Sequence, residues 1–172
     1  GHAVAQLRLT EHLQATATSA SDETEAFQLA QLAAGQGMVK AQLILGQCYA
    51  EGRGVEADET QALEWFGKAA QQGEPQAQLY LAEKLREGDS ETARELFGQA
   101  AAQEMVAAQF ALAEMCAAGE GGERDPEAAL RWCRKAAEQG HAGAQNELGQ
   151  LLAETHPAEA MQWFRQSADQ NC

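Results

Sequence analysis

Apolar and small residues in this chain recur with a helical period. Taking about 100° per residue from Ala41, the residues Gln42, Leu45, Gly46 and Tyr49 fall on one arc with it, as a packed helix face requires. The same arrangement returns at fixed intervals. Ala5-Gln6, Ala41-Gln42, Ala77-Gln78, Ala108-Gln109 and Ala144-Gln145 are spaced by 36, 36, 31 and 36 residues. Each copy is followed by a second helical stretch that carries large residues one turn before a small pair. The large pairs are Trp65-Phe66, Leu96-Phe97, Trp132-Cys133 and Trp163-Phe164, with Leu29-Ala30 the weak first copy. Self-similarity at this period predicts a solenoid of two-helix units, in which stacking of neighbours makes the core continuous.

The unit from Gly37 to Gly73 shows how the two helices are bounded. A first helix carries Ala41 to Tyr49, Gly52-Arg53-Gly54-Val55 makes a turn, and a second helix runs from Asp58 to a Gly73 stop. Asp58 is placed as an N-cap, with Gln61 three residues on, and Asp22 with Glu25 gives the same signal. Asp89 and Asp125 stand in that frame, and Pro126 and Pro157 occupy the first helical position. Ala33-Ala34, Ala69-Ala70 and Ala136-Ala137 precede Gly37, Gly73 and Gly140, a spacing suited to a left-handed C-cap; Glu104 and Asn171 stand there in the third and fifth units. Trp65 and Trp132 are expected in the core, where truncation to Ala costs about 3–5 kcal/mol. Ala15 to Ser21 reads as a polar turn in the first unit. The third and fifth units lack five turn residues. Gly119-Glu120-Gly121-Gly122 has no Lys-Ser/Thr after it and reads as a turn rather than a phosphate loop.

These motifs carry a family resemblance. Ala-Gln-x-x-Leu-Gly-x-x-Tyr, Gly-x-Gly-Val-x-x-Asp and Ala-Leu-x-Trp-Phe-x-Lys-Ala-Ala-x-x-Gly, as they stand from Ala41 to Gly73, resemble the Sel1-like repeat, a relative of the tetratricopeptide repeat. The resemblance implies an all-α, right-handed superhelix of about five helix-turn-helix repeats, at about 1–36, 37–72, 73–103, 104–139 and 140–172, in one solenoid domain. It also implies a protein-interaction scaffold, with the first helix of each repeat on the concave side, often in bacterial envelope, secretion or signalling settings.

Composition narrows the partners. With 12 Lys+Arg against 26 Asp+Glu the net charge is −14, which repels nucleic acid and anionic lipid. No stretch approaches the roughly 18 apolar residues of a membrane span, and no signal-peptide pattern opens the chain. Cytoplasm and envelope both stay open as compartments. Cys48, Cys116, Cys133 and Cys172 show no metal or disulfide spacing. Cys116 and Cys133 fall at interior positions, as packed thiols or as a bridge.

Candidate binding residues lie on the arc of each first helix that the seam does not use, two, three and six residues after the alanine. They are Leu43, Ile44 and Gln47, then Leu79, Tyr80 and Glu83, then Phe110 and Glu114 beside Ala111. Leu7, Arg8 and Glu11, and Asn146, Glu147 and Gln150, hold these places in the end units. Two readings follow: an apolar groove for a peptide or partner protein, or side chains buried between neighbouring first helices. The acidic residues favour a ligand with Lys or Arg beside apolar anchors. Arg131, Arg134 and Lys135 are expected to pair with nearby carboxylates rather than to bind nucleic acid.

No cofactor or metal is called for. His2 and His141 start helices in two Gly-His-Ala segments, His156 sits at a cap, and no HExxH or nucleophile-base pairing is legible. Some cysteine-rich Sel1-like proteins are linked to penicillin binding, which keeps a hydrolase as a rival; yet Ser19, Ser21, Ser90 and Ser167 lack a Lys three residues later. Both ends stop in register with the repeat, which predicts either excision from a longer chain or self-association through an end that exposes Trp163 and Phe164.

Overall fold

The computed structural model describes residues 2–16 and 19–170, and every regular element in it is an α-helix. These are α1 (His2–Thr16), α2 (Ala20–Gly35), α3 (Val39–Glu51), α4 (Glu59–Gln71), α5 (Pro75–Leu85), α6 (Ser90–Ala102), α7 (Val106–Ala118), α8 (Pro126–Glu138), α9 (Ala142–Leu152) and α10 (Pro157–Asp169). They alternate as first and second helices of five repeats, the all-α solenoid that the period predicts. The chain divides into two compact units, Gly1–Leu81 and Ala82–Cys172, each with its own buried clusters.

The second helices begin where short polar side chains cap them. Asp58, Asp89 and Asp125 accept hydrogen bonds from the backbone N–H groups of Gln61, Thr92 and Ala128. Helix α2 differs from the expectation at Asp22. It starts a turn earlier, with Ser19 as N-cap, and Asp22 becomes the third helical residue that closes a reciprocal capping box with Ser19. The polar turn is correspondingly shorter than Ala15 to Ser21.

The helix ends explain the small pairs. The Gly73 and Glu74 N–H groups donate to Ala70 and Ala69 carbonyls, and the same two bonds tie Gly37 and Met38 to Ala34 and Ala33, and Gly140 and His141 to Ala137 and Ala136. Gly37, Gly73 and Gly140 have φ of 81°, 87° and 88°. Glu104 and Met105 make the equivalent bonds to Ala101 and Ala100, with Glu104 at φ 66°, carrying a Cβ into the left-handed region. Asn171 and Cys172 lie outside the described residues.

Packing buries one residue of the large pairs in the second, third and fourth repeats, while Trp163 and Phe164 are both half-buried. Phe66, Phe97 and Cys133 are buried, whereas Trp65 and Trp132 are only half-buried, with the Lys68 and Lys135 ammonium groups 3.8 and 4.5 Å from their ring centres. This corrects the expectation that the tryptophans fill the core. Helix α3 shows why: a Cβ at Gly46 would stand 2.9 Å from the Phe66 ring, so a glycine there lets the flat ring lie against the helix backbone. Gly149 admits Phe164 in the same way.

The long turns are built around a second close approach. Gly52 and Gly119 end α3 and α7 with φ of 71° and 77°, and Gly54 and Gly121 follow at 70° and 67°. A Cβ at Gly54 would meet the Glu23 carbonyl oxygen at 2.2 Å, and one at Gly121 would meet that of Ser90 at 2.1 Å. Each turn therefore rests on the start of the preceding second helix. The 119–122 segment is a packed turn.

Two outcomes test this packing in chemical denaturation. Phe97→Ala should lose about 3–5 kcal/mol, while Trp132→Ala should lose clearly less, because part of that ring already faces water. Gly121→Ala should lose about 2–4 kcal/mol from left-handed strain plus a clash with backbone that cannot move aside. A neutral Gly121→Ala would mean that the turn does not rest on α6.

Candidate functional site

In the first compact unit the candidate residues gather along α3. Leu43 and Ile44 are 9% and 7% exposed, not an open stripe. Leu43 packs with Phe66, Ala69 and Ala77, and Ile44 with Leu7, Ala30 and Leu45. Their edges still reach the surface as the floor of two adjoining depressions, of about 300 and 340 Å³. Leu43, Gln47 and Gln76 line both. Ile44 lines the first, with Glu11, Lys40 and Glu74 around it. Tyr80 and Phe66 line the second, with Glu51 at its side.

Tyr80 is fixed there by two contacts. Its ring lies 4.1 Å from that of Phe66, and its hydroxyl donates to the Glu59 carboxylate at 3.2 Å. Leu79 is half-buried and does not line either depression. The lining of the first depression sets two carboxylates, Glu11 and Glu74, against one ammonium, Lys40, and the Glu51 carboxylate of the second pairs with Arg53 Nε at 2.8 Å. Glu51 and Glu74 were missed in the sequence because they end one helix and precede another. Only stacking brings them to the same edge.

The second compact unit holds the remaining candidates. Glu83 is exposed. Phe110 is half-buried, its ring 4.5 Å from that of His141. Glu114 accepts from Arg86 Nη1 at 3.3 Å, while Arg86 Nε donates to Glu120 at 2.8 Å. The acid at Glu114 is thus partly neutralised within the unit. Burial, and then the Glu114 charge, push the half-buried Glu147 carboxyl above its usual range.

Other polar groups are engaged in structure. His141 caps α9, its Nδ1 accepting from the Ala144 N–H at 3.1 Å. Arg134 pairs with Glu159 at 2.8 Å and Arg131 with Glu127 at 3.9 Å. Cys48, Cys116 and Cys133 are buried free thiols. Burial pushes Cys133 up to about 12 and raises Cys48, which disfavours the thiolate that a nucleophile or metal ligand needs. Cys116 Sγ accepts from Arg94 at 3.4 Å. Among the described residues no group of three or more His, Cys, Asp or Glu is placed to hold a metal ion, and no helix is long and apolar enough to cross a membrane.

The Sel1 repeat profile matches residues 12–38, 39–74, 75–105, 106–141 and 142–172. Among solved structures, a protective antigen of uropathogenic Escherichia coli with an SLR fold is 29% identical, with a TM-score of 0.91. The alignment covers 98% of this chain but 38% of the antigen, so the chain spans less than half of that protein's length. A Sel1 repeat protein from Oxalobacter formigenes is 25% identical with a TM-score of 0.86, over 98% of this chain and 71% of its own. The immunity protein Pa5087 of Pseudomonas aeruginosa is 23% identical with a TM-score of 0.60, over 96% and 64%, a likeness of fold alone. No curated protein matches the sequence.

The two carboxyls of opposite shift give a pH test. Glu147, raised, contributes stability that is fully present below its unfolded value near 4.5 and is lost as pH rises through its folded value. Glu159, held low by hydrogen bonds from Arg134 and Trp163, does the reverse and loses its contribution in acid. Glu114→Gln should therefore lower the Glu147 pKa in NMR titration, and Arg134→Ala should raise that of Glu159. An unmoved Glu147 would remove Glu114 as its neighbour in charge.

Proposed function

This chain belongs to the Sel1 repeat family, whose members generally act as protein-interaction scaffolds, and from that premise we propose that it is a non-catalytic adaptor. It holds a peptide or partner protein against the α3 face of its first unit. The observation that carries this reading is the pair of adjoining depressions with an apolar floor and an acidic surround. Leu43, Ile44, Phe66 and Tyr80 offer anchorage to apolar side chains, and Gln47 and Gln76 offer donors and acceptors between the two depressions. Glu11 and Glu74 outnumber Lys40 in the first depression, while Glu51 in the second is paired with Arg53 at 2.8 Å, so a segment with Lys or Arg beside apolar anchors is the complementary ligand of the first depression. Leu79, Glu83, Phe110 and Glu114 remain candidates on their own first helices, the last three within the second unit. The capping role of His141 and the raised Cys48 and Cys133 thiols favour a binding role over a hydrolytic one.

Testing this face requires substitutions that spare the core. Leu43→Glu is unsuitable, because it buries a carboxylate among Phe66, Ala69 and Ala77. Gln47 and Gln76 stand closer to solvent and line both depressions. A Gln47→Arg, Gln76→Arg variant should keep its helical circular dichroism and capture its partner from source-cell lysate at least about tenfold less well than the unaltered protein. Equal capture of the same proteins by both would remove the α3 face as the site.

A further inference from the structure

In the first compact unit Arg53 Nε is a buried side-chain nitrogen that donates no hydrogen bond. The Glu51 carboxylate lies 2.8 Å away and balances its charge, but the N–H does not point along that contact. A buried donor in this state is costly unless an acceptor stands on its other side. Arg53 also lines a cavity of about 30 Å³, together with Gln14, Glu23, Ala26 and Cys48. That volume matches the share of the liquid taken by one water molecule. Polar side chains reach its walls from three elements: Gln14 from α1, Glu23 from α2 and Arg53 from the long turn after α3.

The repeat frame shows how the same place is built when side chains alone fill it. In the second unit the positions of Gln14, Glu23, Ala26, Cys48 and Arg53 are held by Arg86, Ser90, Ala93, Met115 and Glu120. There Arg86 Nε donates directly to the Glu120 carboxylate at 2.8 Å, and the long Met115 side chain is fully buried. The first unit has a shorter thiol at Cys48 and an amide at Gln14 in place of the guanidinium. Gln14 Nε2 turns to Cys48 Sγ at 4.0 Å, a weak contact that leaves its carbonyl oxygen available as an acceptor. The cavity thus stands where the other unit carries a direct ion pair and a larger side chain.

We propose that this cavity is the binding site of one ordered water, which accepts from the Arg53 Nε–H and donates to the Gln14 and Glu23 side chains. A structural water makes about three hydrogen bonds, and these residues supply that many. It joins the long turn to α1 and α2, as the Arg86–Glu120 pair joins the corresponding turn in the second unit to the end of α5. A small anion is the other ligand that a guanidinium takes. Local charge opposes it, because Glu23 lines the cavity and Glu51 already stands at Arg53.

A crystal structure of the 172-residue chain grown in bromide gives the first test and needs no variant. One density peak within hydrogen-bond distance of Arg53 Nε, without anomalous signal, is the expected result. An anomalous peak there would assign the site to an anion and overturn the proposal, and so would a cavity without density. Relaxation dispersion of water oxygen-17, which counts long-lived waters in solution, gives the second. Cys48→Met copies the residue of the fourth repeat and should lose one such water relative to the unaltered protein while keeping its helical circular dichroism. Arg53→Met, at a half-buried position, removes the donor and should lose the same water, so the comparison stands even if the larger side chain at position 48 prevents folding. A folded variant with an unchanged count would overturn the proposal.

Discussion

A buried amide that must be hydrogen-bonded at both ends is the constraint on which the repeat depends. Gln42, Gln78, Gln109 and Gln145 are buried, and an unpaired amide there would be costly. Each finds its partners in the frame of the fold. Gln78, Gln109 and Gln145 donate to Ala70, Ala101 and Ala137, carbonyls at the end of the preceding second helix. Gln42, Gln109 and Gln145 accept from Gln72, Gln139 and Gln170, the residues that end the second helix of their own repeat. One side chain thus joins two repeats and closes its own. The sequence separation of that closing bond is 30 residues with a long turn and 25 in the fifth repeat, so the turn absorbs the difference while the amide contact stays.

Small residues carry the second constraint. Alanine pairs at the helix ends put carbonyls within reach of the glutamines, and Gly46 and Gly149 let Phe66 and Phe164 lie on backbone. Gly54 and Gly121 bring each long turn onto the helix before it. Close approach at these points leaves little freedom for sliding between neighbours, which is why a core built as a seam can still be specific.

Function in such a chain lives in what the seam does not use. Leu43 and Ile44 serve both purposes, since their bodies pack between helices while their edges floor the depressions along α3. Carboxylates gather around those depressions, where Arg53 pairs with Glu51, and in the second unit Arg86 occupies Glu114. The two units offer the same frame with different surfaces.

The amino-acid sequence by itself determined the period, the alternation of two helices, the caps at Asp58, Asp89 and Asp125, the glycine stops and the packed arc that includes Gln42. Each of these is decided within one or two turns of chain, by backbone groups that need a nearby partner or a conformation that glycine favours. Buried, unbridged Cys116 and Cys133 were one of two outcomes legible from their places in the frame. Only tertiary structure decided that Ser19 rather than Asp22 caps α2, that Phe66 rather than Trp65 is buried, and that Leu43 and Ile44 are covered. Neighbours such as Trp65 and Phe66 point about 100° apart on a helix, so which one enters the core depends on what the facing helix sets against it, Gly46 in the case of Phe66. The acids Glu11, Glu51 and Glu74 likewise share a surface only through stacking, because a groove is made by residues from different helices and no local signal records their meeting.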